Sequence, residues 1–73
     1  MGDYEQLETL VLKRLCEAGP LQEVELEREF GPDAEDCMGV LRRRGLVHAL
    51  VGEFLIASAA GRHAHAVSEE LGR

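Results

Sequence analysis

Two Gly-Pro pairs interrupt the chain, and they constrain its fold more than any other feature of the sequence. Glycine suits the left-handed end of a helix and proline cannot continue one, so Gly19-Pro20 and Gly31-Pro32 each end a helix. Gly45 is placed to close a third helix as its C-terminal cap. The sequence therefore predicts short helices at residues 3–18, 22–30 and 33–44.

Within these segments the apolar residues recur at steps of three and four, as in amphipathic helices. The expected inner faces are Tyr4, Leu7, Val11, Leu15 and Ala18 in the first helix, Leu26 and Phe30 in the second, and Ala34, Cys37, Met38 and Leu41 in the third. Leu12 and Cys16 flank the first of these faces. This surplus of apolar surface indicates a second contact, either inside the domain or in a dimer.

After Gly45 the pattern changes to an extended one. Residues 46–51 and 54–57 are predicted strands, and Gly52-Glu53 between them is typical of a two-residue type II′ hairpin turn. Ser58 then caps a helix at 59–71, where Gly61 is expected to weaken the first turn. The apolar positions of this last helix are Ala60, Ala64, Val67 and Leu71. The predicted fold is mainly α with a small β-hairpin, in one domain spanning residues 1–73.

The charge of the chain is acidic overall and unevenly distributed. Its 73 residues carry a formal net charge of -6, and residues 1–40 hold most of the acids. Basic residues outnumber acidic ones only in residues 41–73. An acidic balance counts against general nucleic-acid binding, since phosphate neutralisation needs Lys and Arg. No apolar run approaches the roughly 18 residues of a membrane span, and the acidic start is unlike a signal peptide, so we expect a cytoplasmic protein without membrane contact.

The sequence offers no pattern for catalysis or metal binding. Cys16 and Cys37 are far apart and form no CxxC unit, which favours free, structural thiols in a reducing compartment. His48, His63 and His65 lack ligand spacing to either cysteine. There is no nucleophile motif or glycine-rich phosphate loop, and no large pocket is expected in so small a core. We therefore expect a protein that is not an enzyme and uses no metal or cofactor.

Four stretches in register resemble the winged helix-turn-helix proteins, especially small MarR- and PadR-type prokaryotic transcriptional regulators. They are Leu21, the LxxxFG of residues 26–31, the LRRRGLV of residues 41–47 and the FLIASAAGR of residues 54–62, which has Ser58 where the family usually has Thr. The resemblance implies a three-helix core, a two-stranded wing and a C-terminal helix. It also implies a homodimeric transcriptional regulator whose third helix enters the DNA major groove.

The residues that the sequence nominates for contact with double-stranded DNA are Arg42, Arg43, Arg44, His48 and Arg62. Steps of 100° splay the three consecutive arginines round the helix, so at most two share a face. Their alternative role is to complement the negative end of the helix dipole. The residues at the expected wing tip, 51–53, offer DNA no positive charge.

An alternative function is a winged-helix module that binds a protein partner and little or no DNA. Its candidate residues are Glu35, Asp36, Gly39 and Val40, where Gly39 marks either a partner surface or a close approach by Leu26 or Phe30 of the neighbouring helix. The candidate homodimer residues are Leu12, Cys16, Ala64, Val67 and Leu71.

Overall fold

The computed structural model describes the backbone of residues 2–71 and the side chains of residues 6–71. Its elements are α1 (Gly2–Ala18), β1 (Leu21–Gln22), α2 (Glu23–Phe30), α3 (Asp33–Arg43), β2 (Val47–Leu50), β3 (Phe54–Ala57) and α4 (Ala59–Leu71). The strands form one antiparallel sheet in the order β1-β3-β2. The expectation of a mainly helical chain with a small antiparallel sheet is confirmed.

The sheet has a third strand that the sequence did not predict, and this strand, β1, overlaps the predicted second helix at residue 22. Leu21 lies opposite Leu55, and Gln22 lies opposite Phe54. The Gln22 backbone N–H donates to the carboxylate of Glu25 at 2.9 Å, which supports the first turn of α2. The chain therefore pairs with β3 for two residues before it turns into the helix.

The hairpin turn also differs from the predicted type II′ geometry. Leu50 lies opposite Phe54, which leaves three residues, 51–53, in the loop. Gly52 and Glu53 both have positive φ, at 82° and 62°. A type II′ turn has positive φ only at its first central residue, so that prediction was wrong.

The register of the hairpin explains the longer turn. Val47 lies opposite Ala57, and both side chains are buried. A slip of one residue would turn Val47 to the solvent face, because side chains alternate along a strand. Burial of this pair therefore fixes the register, and the turn takes the extra residue.

The core lies where α1, α2 and α3 meet the inner face of the sheet. All four residues of the predicted inner face of α3 are buried, as is Leu26, while Leu7 and Phe30 are half-buried against the core. Ala18 is exposed, and the side chain of Tyr4 lies outside the described residues. The buried apolar residues are Val11, Leu12, Leu15, Leu26, Ala34, Cys37, Met38, Leu41, Val47, Leu55 and Ala57.

The end of α3 is fixed by the glycine that follows it. Gly45 has a φ of 74°, its N–H donates to the carbonyl of Arg42 at 3.0 Å, and the N–H of Leu46 donates to the carbonyl of Leu41 at 2.9 Å. These two bonds form a Schellman motif. The predicted capping role of Gly45 is confirmed, and the helix ends at Arg43, one residue before the predicted end.

Ser58 joins the start of α4 to the loop after α3. Its Oγ accepts the N–H of Gly61 at 3.0 Å and donates to the carbonyl of Gly45 at 2.6 Å, which confirms the predicted cap. Gly61 is buried, and a Cβ there would overlap the carbonyl oxygen of Leu46 and lie 3.2 Å from Cδ1 of Leu12. Glycine is therefore required at this crossing, a role that the sequence did not reveal.

Candidate nucleic-acid interface

The three consecutive arginines at the end of α3 have different surroundings. Nη1 of Arg44 donates to Oε1 of Glu8 in α1 at 3.2 Å. Arg42 and Arg43 are exposed, and within residues 6–71 their side chains have no hydrogen-bonding or ionic partner. Two of the three guanidinium groups are therefore available to an outside anion, and the third is engaged by the protein itself.

Gly39 opens a shallow groove beside these two arginines, and Gly39, Arg42 and Arg43 line it. A Cβ on Gly39 would meet only Nη1 of Arg43, at 3.7 Å. Leu26 and Phe30 do not come within 4 Å of that position, so the hypothesis of a close helix approach was wrong. The glycine instead faces the surface, one helical turn from the charged end.

The remaining DNA candidates lie elsewhere on the molecule. His48 is exposed and lies opposite Ile56 in the sheet. Arg62 is exposed in the first turn of α4, close enough to Cys16 for its charge to oppose the rise in the pKa of that thiol. Cys16 lies about 12 Å along α1 from Glu8, the partner of Arg44. Of the nominated residues, Arg42 and Arg43 line one groove together.

Acidic side chains cover the opposite end of α3. Asp33, Glu35 and Asp36 are in the first turn and exposed, while Val40 is half-buried further along. The helix spans about 16 Å, so its negative and positive ends face different parts of any bound polymer. A phosphate backbone would be repelled at the first turn and attracted at the last.

The outer face of the sheet is an apolar surface that the sequence analysis missed. Leu50 is exposed opposite the half-buried Phe54, and Ile56 is half-buried opposite His48. Val51, at the hairpin tip, is 96% exposed. The sequence indicates this surface, because apolar residues occupy the outward-facing positions of the hairpin strands as well as the inward-facing ones.

The dimer candidates divide between the core and the surface. Leu12 is only 6% exposed and belongs to the core of this chain, so the surplus on α1 is taken up inside the domain and Leu12 offers no dimer contact. Cys16 and Ala64 are half-buried against the same core. Val67 and Leu71 are exposed on α4, Leu71 at 82%.

The cysteines are free, Cys37 buried and Cys16 half-buried. Burial raises the pKa of both thiols, and for Cys37 the carboxylates of Glu8, Asp33 and Asp36 raise it further. A raised pKa keeps the thiol protonated and poorly nucleophilic at neutral pH. Among the described residues no three His, Cys, Asp or Glu side chains are placed to hold a metal ion.

None of the described helices combines the length and apolar character needed to cross a membrane. No family model, no curated protein and no solved structure is similar enough to this chain to count as a match. The geometry of the exposed end of α3 is therefore the main physical evidence on function.

Proposed function

We propose that the chain is a winged helix-turn-helix domain that binds duplex DNA through the last turn of α3 and acts as a transcriptional regulator. The element order supports the fold, because two helices joined at Gly31-Pro32 are followed by an antiparallel hairpin and a further helix. This order is compatible with the core and wing that the sequence resemblance implies. Fold alone does not fix function, so the DNA proposal rests on the surface.

The observation that carries the proposal is that Arg42 and Arg43 are exposed without partners beside the groove at Gly39. A guanidinium group matches phosphate geometry and can form two parallel hydrogen bonds with it. Because Gly39 has no side chain, a backbone phosphate can approach α3 closely at this turn. Arg44 contributes less, since Glu8 already neutralises it.

Two phosphate contacts set the expected strength of binding. The logarithm of the affinity should fall with the logarithm of salt concentration with a slope of about -1.8 per protomer, or roughly twelvefold between about 50 and 200 mM salt. A homodimer with both α3 helices on one duplex doubles the slope to about -3.6. The acidic first turn of α3 keeps the non-specific affinity low.

Fluorescence anisotropy of a labelled mixed-sequence duplex tests the proposal. Arg42→Gln and Arg43→Gln should each weaken binding and flatten the salt slope by about 0.9 per protomer. Arg62→Gln is the matched control, since it removes the same charge from an exposed arginine in α4 and should leave the slope unchanged. The proposal is wrong if the protein does not bind at about 50 mM salt, or if all three variants behave alike.

We further propose that the regulator is a homodimer whose interface includes Val67 and Leu71. Both are apolar and exposed on α4. Sedimentation equilibrium should show a dimer that Val67→Lys converts to monomer, with Val51→Lys, at an exposed valine of the hairpin tip, as the control. A wild-type protein that stays monomeric at high micromolar concentration excludes the dimer.

The second candidate function is a protein-interaction module, and the apolar outer face of the sheet favours it. Leu50 and Val51 are exposed at the edge strand β2 and the hairpin tip, where a partner could cover them. The surface of Glu35, Asp36, Gly39 and Val40 is the other part of this candidate. Crosslinking in source cells should recover a partner protein with the wild-type chain and with the Val67→Lys variant. The Leu50→Lys variant should no longer recover it. Loss with both variants, or with neither, counts against the sheet face.

A further inference from the structure

An open pocket lies between α1, the end of α3 and α4, away from the groove at Gly39. Its volume is about 310 Å³, at the lower end of the range for small-molecule sites. Each of the three segments contributes side chains to its wall. This pocket could not be predicted from the sequence, because it arises where residues far apart in the chain come together.

The floor of the pocket is apolar. Leu12 and Leu41 are almost fully buried there, and Leu46 packs beside them at the end of the loop between α3 and β2. These leucines would cover an aliphatic group and exclude water from it. The floor therefore selects for a ligand with an apolar portion.

The rim of the pocket carries one negative and one positive charge side by side. The carboxylate of Glu8, whose side chain is 15% exposed, accepts a hydrogen bond from the guanidinium of Arg44, whose side chain is 61% exposed. His65 is half-buried at the same rim. An anionic ligand alone would meet the repulsion of Glu8, and a cationic ligand alone would meet that of Arg44.

We propose that this pocket binds a small zwitterion with an apolar side chain, that is, an aliphatic α-amino acid such as leucine. Its ammonium group binds the carboxylate of Glu8, its carboxylate binds the guanidinium of Arg44, and its side chain lies on the leucine floor. Arg44 and Glu8 give up the 3.2 Å hydrogen bond between them when the ligand enters. Each charge then gains a charge-assisted hydrogen bond to the ligand. This inference does not depend on DNA binding.

Isothermal titration of the whole chain with four compounds tests the charge and the floor separately. Leucine should bind, whereas N-acetyl-leucine, leucinamide and glycine should bind at least about tenfold more weakly, since each lacks one of the three contacts. No binding of leucine at up to about 10 mM overturns the proposal. Equal binding of either blocked leucine overturns the zwitterion, and equal binding of glycine overturns the role of the floor.

Variants locate the site. Glu8→Gln and Arg44→Gln should each weaken leucine binding by roughly ten- to a hundredfold. Arg43→Gln is the matched control, because it removes the same charge at the same helix end but does not line the pocket. Ser68→Leu narrows the pocket from the exposed face of α4 and should abolish binding without touching either charge or the core. Unchanged leucine binding in the folded Ser68→Leu variant contradicts this location.

Discussion

Replacing Gly61 with alanine should destabilise the protein, although the same change in an exposed helix is stabilising by about 1 kcal/mol. The added Cβ would overlap the carbonyl oxygen of Leu46, lie 3.0 Å from its carbonyl carbon and lie 3.2 Å from Cδ1 of Leu12. A backbone carbonyl cannot move aside as the tip of a long side chain can. This carbonyl also accepts the N–H of Ser58 at 2.9 Å, so displacing it weakens the junction between α3 and α4.

The magnitude follows from three opposing effects. Overpacking costs about 1–3 kcal/mol, and loss of the Ser58 to Leu46 hydrogen bond costs about 1 kcal/mol. The higher helix propensity of alanine offsets about 1 kcal/mol of these costs. Gly61→Ala should therefore lower the free energy of unfolding by about 2 kcal/mol. Gly39→Ala is the matched control, since its Cβ meets only Arg43 at an ordinary 3.7 Å. It should raise the free energy of unfolding by up to about 1 kcal/mol.

Urea denaturation followed by far-ultraviolet circular dichroism measures both changes, and the chain has no tryptophan to serve as a fluorescent probe. In thermal unfolding, Gly61→Ala should lower Tm by roughly 8–16 °C. Gly39→Ala should raise Tm by up to about 4–8 °C. A Gly61→Ala variant as stable as the wild type would refute the close crossing of α4 and the loop after α3.

Three further predictions concern stability. Ser58→Ala should lower the free energy of unfolding by about 1–2 kcal/mol because it removes the cap of α4. In the same denaturation assay the control, Ser68→Ala, should have a free energy of unfolding within about 0.5 kcal/mol of the wild type. Glu53→Gly should raise it by up to about 1 kcal/mol, since φ is 62° at this position and only glycine adopts that conformation freely; an unchanged midpoint argues against the positive φ. Burial raises the pKa of the Cys37 thiol in the folded protein. The stability that the protonated thiol contributes is therefore complete below about pH 8.5, the pKa of an unperturbed cysteine. It is lost as the pH rises through the pKa of the folded state, by at most about 1.4 kcal/mol per pH unit. The Cys37→Ala variant should show a shallower loss of stability at alkaline pH, and an identical slope would contradict the burial of this thiol.

The helices could be predicted from the sequence because local chemistry sets their ends. Gly45 adopts the left-handed conformation that closes α3, and Ser58 caps α4, as their residue types indicate. The spacing of apolar residues also identified the buried face of α3 correctly. These features depend on neighbours within about one helical turn, so a single sequence contains them.

The features that could not be predicted depend on residues far apart in the chain. Strand β1 has two residues, too few for any periodicity, and it exists because Leu21 and Gln22 pair with β3 more than 30 positions away. The hairpin register depends on the burial of Val47 opposite Ala57. The sequence predicted that Gly61 weakens its helix, whereas the structure shows that glycine is required there because the backbone of Leu46 lies against it.

The candidate interface was predictable only as a set of residue types. Helical geometry required the three arginines to diverge, but the sequence did not show which of them has an internal partner. Glu8 provides that partner for Arg44 from 36 positions away. Likewise, the leucines of the pocket floor were recognisable as apolar residues, while the space between them results from the packing of three helices.

The Schellman motif at Gly45 ends α3 between the two proposed sites. Arg44 lies against Glu8 of α1, whereas Arg42 and Arg43 face outward. Arg43→Gln and Arg44→Gln remove the same charge one residue apart, so their effects on net charge are identical. If the end of α3 holds two distinct sites, Arg43→Gln flattens the salt dependence of DNA binding and leaves leucine binding intact, and Arg44→Gln does the opposite. Parallel losses in both assays would mean that neighbouring charge, rather than the direction of each guanidinium, governs binding at this helix end.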